Sequence, residues 1–456
     1  MDFYGYSSEW QRAVIEYPVF RTKGGKRVKK LLIYILIFML SISAAACGNS
    51  EKKDNGVKSK NELEGTVVVW SYGTAAKALQ DAGNRFVKNH PKVKVEVKEI
   101  KENSYYDSIL VTLSSGIDMP DIFTTEGERV QYLASRFPGK LQELSEEVAS
   151  NKDDYLKSKL FELSVNKKIY GYPWTSEPIA VFYREDMFKA AEISAEDIKT
   201  WEQYIDAGKS LAAYNKSDTK MLAVNDVEWL YRILLCQLGT GYFDNEGKPV
   251  FDSVDSIKAA TMAKTLKDSN LVYSYSDLNS LISGIKNGKV AALPMDVSLV
   301  RVLKEQCGEL NGKWAVMELP AFEFGGKTAA SSGGLDIMVT TGAKNNKAAQ
   351  EFARYAVKDT NVLSDMLIKN GLLSCYTPFF NELFFQNKVS YFNGQRTWRI
   401  FSKISKDVKE INHTENYVET QQSVKEALDK VIEKNEDIKT TLEELQKNTR
   451  GRYGKE

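Results

Sequence analysis

The sequence predicts an α/β protein with two cores, and three observations carry that prediction. The chain has 456 residues, and chains longer than about 250–300 residues usually divide into more than one domain. From residue 65 onward, β-rich segments alternate with segments of helical apolar period, a rhythm typical of a doubly wound α/β lobe. Cysteine is sparse, so apolar burial rather than a disulfide framework must hold the fold.

The first predicted elements run strand, helix, strand, helix, strand. Residues 66–70 are a β-rich run typical of a strand buried on both faces, and a helix follows that ends at His90-Pro91. Valines at 93, 95 and 97 alternate with charged residues, which predicts a half-exposed strand. A second helix and a short buried strand over 119–123 complete the unit. The predicted apolar helix faces are Ala75, Ala78, Leu79, Ala82 and Phe86, then Tyr106, Ile109, Leu110 and Leu113.

The N-terminal segment reads as an export signal. Four basic residues between 26 and 30 precede an apolar run over 31–40, which is shorter than the roughly 20 residues that span a bilayer. The sequence Ala-Ala-Ala-Cys at 44–47 resembles the lipobox of bacterial lipoproteins, with Ala44 in place of the usual leucine. We therefore predict a signal peptide over 1–46, lipidation of Cys47 and a flexible polar tether over 47–64. An uncleaved membrane anchor is the alternative.

The true start of translation is predicted to lie inside the given sequence. Residues 1–22 are mixed and partly acidic, unlike the basic start of a signal peptide. Lys-Gly-Gly at 23–25 is what a ribosome-binding site encodes when it is translated, and Val28 fits a GTG start codon. On this interpretation residues 1–27 are an untranslated extension.

Charge and cysteine usage exclude several classes of protein. The mature chain from Cys47 has 55 basic and 58 acidic residues, and a net charge of −3 gives no electrostatic case for nucleic acid binding. Beyond Cys47 the cysteines are Cys236, Cys307 and Cys375; their spacing fits no metal site, and one disulfide among them is left open. Cys236 lies in an apolar helical stretch, which predicts a buried, inert thiol.

The following segments occur in order along the chain: VVVWSY, NHPKVKVEV, SSGIDMPDIF, KIYGYPWTSEPIAVFYREDMFKAAEI, TWEQYIDAGKSL, GKVAALPMD, SSGGLDIMVTTGAKNNKAAQEFARYAV and SVKEALDKVIEK. Together these blocks resemble the family 1 extracellular solute-binding proteins, the capture components of ABC importers for sugars. Arg184 replaces the asparagine usual in the fourth block.

The resemblance covers residues 65–440 and implies two α/β lobes with a hinge that the chain crosses three times. This is the type II periplasmic-binding-protein arrangement. The crossings are expected near 172–180, 319–334 and 371–378. The lobes are then 65–175 plus 333–372, and 176–332 plus 373–456.

Ligands of open α/β sheets bind at the carboxyl ends of the strands. A sugar presents apolar faces that stack on aromatic rings and hydroxyls that pair with planar polar groups. By position and resemblance, the predicted ligand-binding residues are Trp70, Tyr72, Glu126, Trp174, Glu177, Trp229, Asp296, Gly333 and Trp398. Alternatives stay open: core packing for the tryptophans, an exposed carboxylate for Glu126, a helix cap for Asp296 and a hinge requirement for Gly333. Trp201 and Trp314 are predicted to be structural.

These features predict a receptor rather than an enzyme. The chain has two histidines, which disfavours a His-based triad or a multi-His metal site. It lacks a P-loop, so ATP hydrolysis belongs to another polypeptide. The expected partners are a sugar or oligosaccharide, ABC permease subunits and the membrane through the lipid anchor, with no cofactor, no metal and a monomeric state.

The alternatives to a sugar receptor are four. They are a non-sugar solute receptor, a tyrosine-based iron receptor, a surface adhesin, and a carbohydrate-active enzyme that works with two carboxylates.

Overall fold

The computed structural model describes residues 62–215 and 219–453, and these form a mixed α/β fold. The predicted signal peptide, Cys47 and the tether up to residue 61 lie outside the described residues. The strands, β1 to β14 in chain order, are Gly65–Ser71, Val93–Glu99, Ile122–Glu126, Ser164–Val165, Lys168–Ile169, Tyr172–Pro173, Thr175–Ser176, Ile179–Arg184, Leu222–Val224, Val272–Ser274, Ala292–Asp296, Trp314–Met317, Leu335–Val339 and Leu373–Ser374.

Helices cover about half of the described chain. The α-helices, α1 to α16 in chain order, are Gly73–Asn89, Glu102–Ser115, Val130–Arg136, Ser145–Ala149, Lys157–Glu162, Glu185–Ala190, Trp201–Asn215, Val227–Leu238, Val254–Asp268, Leu278–Lys286, Leu299–Gln306, Asn346–Lys358, Thr360–Asp365, Thr397–Asp407, Tyr417–Glu433 and Ile438–Tyr453. Short 3₁₀ turns include Gly127–Arg129 and Leu383–Gln386, and a π-turn covers Met366–Asn370.

A five-stranded sheet has the order β2-β1-β3-β13-β6, with β13 antiparallel to β3. Helices cover both of its faces, because the strands are apolar on both sides. Val67 and Val69 pack in one core with α1 and α12, while Phe123 packs with α2 and α3 in another. This is the doubly wound arrangement that the sequence predicts.

Two details of the first elements differ from the prediction. The strand expected over 119–123 begins at Ile122, because Pro120 has no N–H and the Asp121 carboxylate instead accepts the Val68 amide at 2.7 Å. On α2 the fully buried tyrosine is Tyr105, whereas Tyr106 and Leu110 are half-buried.

A second sheet has β8 at its centre, antiparallel to β11 and β12 on either side. All three strands fall within 176–332, the range predicted for the second lobe. The five strands of the first sheet fall within the ranges predicted for the first lobe. The lobe boundaries themselves remain a prediction.

The three segments predicted to cross between the lobes lie side by side. β7 pairs antiparallel with β14, and Pro178 forms a bridge with Ser331. At Gly334, φ is +129°, and a Cβ there would lie 2.7 Å from the carbonyl carbon of Thr175. The close approach of two backbones therefore requires glycine at this position.

The three cysteines within the described residues, Cys236, Cys307 and Cys375, are free and buried. Burial raises the pKa of Cys236 to about 11, which fits the predicted inert thiol. Trp201 and Trp314 are buried, as expected for structural residues. In residues 62–215 and 219–453 the helices are too short or too polar to cross a bilayer.

Candidate functional site

Polar side chains meet where β1 and β3 end. The two strands are parallel neighbours, with Trp70 opposite Phe123, so the residues that follow each strand emerge at one edge of the sheet. The Ser71 and Thr124 hydroxyls lie 2.9 Å apart, and the Tyr72 hydroxyl donates to Glu126 Oε1 at 2.8 Å. Burial raises the pKa of Glu126, while Arg129 and Tyr72 act in the opposite direction.

Three tyrosines, Tyr72, Tyr105 and Tyr106, pack against one another next to this edge of the sheet. The Tyr72 and Tyr105 ring centroids are 4.7 Å apart, and Tyr106 meets Tyr105 edge-on at 5.3 Å. The Arg129 guanidinium lies 3.8 Å from the centroid of the Tyr106 ring, and its Nε donates to Glu126 Oε2 at 3.1 Å. The prediction named Tyr72 but missed Tyr106 and Arg129. Arg129 lies three residues after the predicted Glu126, which was the available signal, whereas the sequence had placed Tyr106 on the apolar face of its helix.

The second acidic group lies at the predicted hinge. The Ser332 hydroxyl donates to Glu177 Oε2 at 3.1 Å, and the Glu177 amide donates to the Gly333 carbonyl at 3.1 Å. Burial, and next the negative charge of Asp296, raise the pKa of Glu177 to about 7. A carboxyl group near half-protonation at neutral pH can donate or accept a hydrogen bond.

Asp296 comes from the second sheet, at the last position of β11. Its Oδ1 accepts the Ser298 amide at 2.8 Å just before α11, so the helix-capping interaction left open by the sequence is present. The structure thus brings Tyr72 into contact with Glu126 and Glu177 into contact with Gly333. Asp296 acts on the Glu177 pKa through its charge.

A buried lysine fixes the geometry next to the hinge. Lys159 Nζ lies 2.9 Å from Asp336 Oδ2 and 2.7 Å from Glu162 Oε2, and it donates to the Gly334 carbonyl at 3.1 Å. Burial opposes the lysine charge, but the two carboxylates outweigh it and hold the Lys159 pKa well above its ordinary value. Because its charge is neutralised, Lys159 serves as a structural anchor.

A narrow cavity of about 40 Å³ borders these acids. Its lining includes Glu126, Glu162 and Gly333 from the predicted first lobe, here called one wall, and Arg232 and Tyr417 from the predicted second lobe, the other wall. This volume admits a few water molecules, whereas small-molecule sites occupy about 300 Å³ or more. The cavity in this structure is therefore too small to hold a sugar.

The predicted ligand-binding residues Trp70, Trp174 and Trp229 do not line the cavity described above. Trp70 is half-buried in a different surface groove, with Lys98 Nζ 5.9 Å from its ring centroid. Trp174 is 1% exposed in the core, and Trp229 is half-buried against the core that contains Trp201. Their contact with a ligand remains a prediction.

The fourth, Trp398, is 5% exposed and stacks on Phe384, with ring centroids 5.8 Å apart and 25° between the planes. Phe384 thus covers one face of the indole. Stacking of a ligand on Trp398 also remains a prediction, and on that face it would require Phe384 to move.

Comparison with known protein families assigns this chain to one of them. The model of the bacterial extracellular solute-binding proteins matches residues 70–362. The chain belongs to this family. As a member of the solute-binding family, it is 24% identical over 358 residues to the lactose-binding protein of Rhizobium radiobacter, covering 77% of this chain and 84% of that protein. It is 24% identical over 336 residues to the arabinooligosaccharide-binding protein of Bacillus subtilis, covering 72% and 76%.

Solved structures share the fold of this solute-binding protein. The sugar-binding protein MalE from Xanthomonas citri superposes with a TM-score of 0.73 at 17% identity, covering 84% of this chain and 96% of MalE. The GacH receptor of Streptomyces glaucescens gives 0.71 at 20% identity, covering 86% and 98%. The predicted family and fold are confirmed.

Proposed function

We propose that this protein is a lipid-anchored extracellular receptor that captures a sugar or oligosaccharide between two lobes and delivers it to the permease of an ABC importer. The observation that carries the proposal is the polar group at the ends of β1 and β3, where the Tyr72 hydroxyl donates to Glu126 Oε1 at 2.8 Å and Glu126 lines the cavity. These side chains accept and donate hydrogen bonds in the manner that hydroxyl groups require. The names of the relatives, which specify lactose and oligosaccharides, support the same ligand class.

The proposed mechanism follows from the two-lobe arrangement. A ligand that contacts Glu126 on one lobe and Asp296 on the other gains more contacts when the lobes approach, so binding favours the closed form. The permease then binds the closed form of the receptor. A lipid on Cys47 would hold the receptor at the outer face of the membrane.

Binding without chemical conversion is part of the proposal. The relatives are named as binding proteins, and the family is one of solute-binding proteins. The acids of the site have hydrogen-bonding partners suited to holding a ligand, and the role we assign to them is recognition.

A thermal-shift screen tests the ligand class. Lactose and arabino-, galacto- and malto-oligosaccharides are the first probes, and a true ligand at about 100 times its Kd stabilises the folded state by about 2.7 kcal/mol. We expect one of these classes to raise the Tm, and Glu126→Gln to reduce that rise. The exposed Glu246→Gln is the matched control and should behave like the parent.

Mass spectrometry of the recovered sugar completes the experiment. An intact sugar supports the receptor, whereas a cleaved sugar would replace it with an enzyme. If none of the sugars changes the Tm and another solute raises it, sugar capture is excluded.

A further inference from the structure

An ion pair joins two segments that the proposed mechanism assigns to different lobes. Arg232 Nη1 lies 3.0 Å from Glu128 Oε2. Glu128 belongs to the turn Gly127–Arg129 after β3, and Arg232 lies on α8. Both side chains border the narrow cavity between the walls.

The wall that carries Arg232 holds its guanidinium ready for this contact. Arg232 Nε is 3.6 Å from Glu228 Oε1, one helical turn earlier. Glu228 in turn accepts a hydrogen bond from the buried Tyr242 hydroxyl. With Nε facing Glu228, the Nη1 group is directed across the cavity. The guanidinium is therefore pre-organised, and the contact with Glu128 costs little side-chain entropy.

The opposite wall positions Glu128 through its turn. Gly127 lies so close to Glu162 that an added Cβ would overlap the carboxylate, which fixes the path of the backbone. The same turn carries Glu126 just before it, so the ligand-binding acid and the ion pair move together. A second contact lies beside the pair, since Gln131 Nε2 donates to Asn412 Oδ1 at 3.1 Å.

We propose that Glu128 and Arg232 form a latch that stabilises the closed form of the receptor. The side chains are 13% and 22% exposed, so water and salt screen the pair less than an exposed one. The latch sets the fraction of closed receptor, and through it the apparent affinity for any solute that binds by closure. This inference rests on the two-lobe mechanism proposed above, and it does not depend on the identity of the solute.

Small-angle X-ray scattering of the ligand-free protein tests the latch. Glu128→Gln keeps the shape of the side chain and removes the charge, and we expect the closed-to-open ratio to fall by about tenfold. The radius of gyration of the variant should exceed that of the parent. Glu128→Asp, which keeps the charge on a shorter side chain, should lie between the two.

Glu246→Gln is the matched control, because it removes a glutamate paired at 2.7 Å with Lys248 in a single exposed loop. Its radius of gyration should equal that of the parent. Raising the salt to roughly 1 M should open the parent and leave Glu128→Gln almost unchanged. A Glu128→Gln variant that scatters like the parent overturns the proposal.

The outcome separates the latch from the proposed function. A protein that binds sugar, and whose Glu128→Gln variant stays as compact as the parent, refutes the latch alone. A protein that binds no sugar but expands on Glu128→Gln supports the latch and refutes sugar capture.

Discussion

Glu177 shows how position alters the chemistry of one side chain. It lies half-buried at the predicted hinge, accepts the Ser332 hydroxyl and faces the negative charge of Asp296. Burial and that charge both penalise the carboxylate, so the pKa rises from 4.5 to about 7. At neutral pH, protonated and ionised forms of Glu177 are both present.

The raised pKa predicts a pH-dependent stability. Because the folded state binds this proton more tightly than the unfolded state, the contribution of Glu177 is most favourable below 4.5 and is lost as the pH rises to about 7. The parent should lose on the order of 2 kcal/mol over this window, after allowance for partial exposure. Glu177→Gln should remove the loss, so the variant gains stability relative to the parent as the pH rises.

Urea unfolding at about pH 5 and pH 8 measures this difference. Glu382→Gln, at an exposed position, is the control and should show the same difference from the parent at both values. If Glu177→Gln also shows an equal difference at both, Glu177 ionises normally and the burial argument is wrong.

At the scale of elements, paired strands organise the predicted hinge. β7 pairs with β14, the Glu177 amide donates to the Gly333 carbonyl, and the Ser332 amide donates to the Glu177 carbonyl. The pairing aligns Glu177 with Ser332 and leaves Gly334 against Thr175. Short ladders of this kind fix the path of the chain while leaving few contacts to resist bending.

The adjacent glycines Gly333 and Gly334 allow the cost of backbone strain to be distinguished from the cost of steric overlap. Gly333 has φ +121° with open space where a Cβ would be, whereas Gly334 has φ +129° and would place its Cβ against Thr175. Gly333→Ala should cost about 1–2 kcal/mol of unfolding free energy from the backbone conformation alone. Gly334→Ala should cost about 3 kcal/mol or more, because the strands must also move apart.

Denaturant unfolding of the two variants provides the comparison. The difference between them isolates the contact with Thr175, since the backbone conformations are nearly the same. Equal losses would mean that the segments are already free to separate at Gly334.

At the scale of the whole molecule, the proposed function assigns anchoring and capture to different parts of the chain. The described residues contain the candidate site, and Cys47 lies before them. The predicted polar tether over 47–64 would let the proposed lobes move relative to the membrane.

Cys47→Ser tests the anchor. Without the thiol, no lipid can be attached, so the protein should appear in the medium or remain unprocessed. Membrane fractionation and immunoblotting measure the distribution, with Ser50→Ala as the control that should remain in the membrane fraction. Unchanged fractionation of Cys47→Ser would show that another segment holds the protein.

The sequence by itself determined the order of the first elements and the family. Apolar period is a local property, so β1, α1 and β2 could be predicted from spacing alone. Residues that follow parallel strands meet at one edge of a sheet, which is why the sequence places Tyr72 and Glu126 at the same edge.

Only the tertiary structure decided which side chains face the cavity. Trp174 and Trp398 are aromatic residues at plausible positions, yet packing from distant segments buries them. The partnership of Glu128 with Arg232 joins residues 104 positions apart, and no local pattern encodes it. Burial and pairing across such separations depend on how whole elements pack, and a periodic pattern specifies the face of an element but not its neighbour.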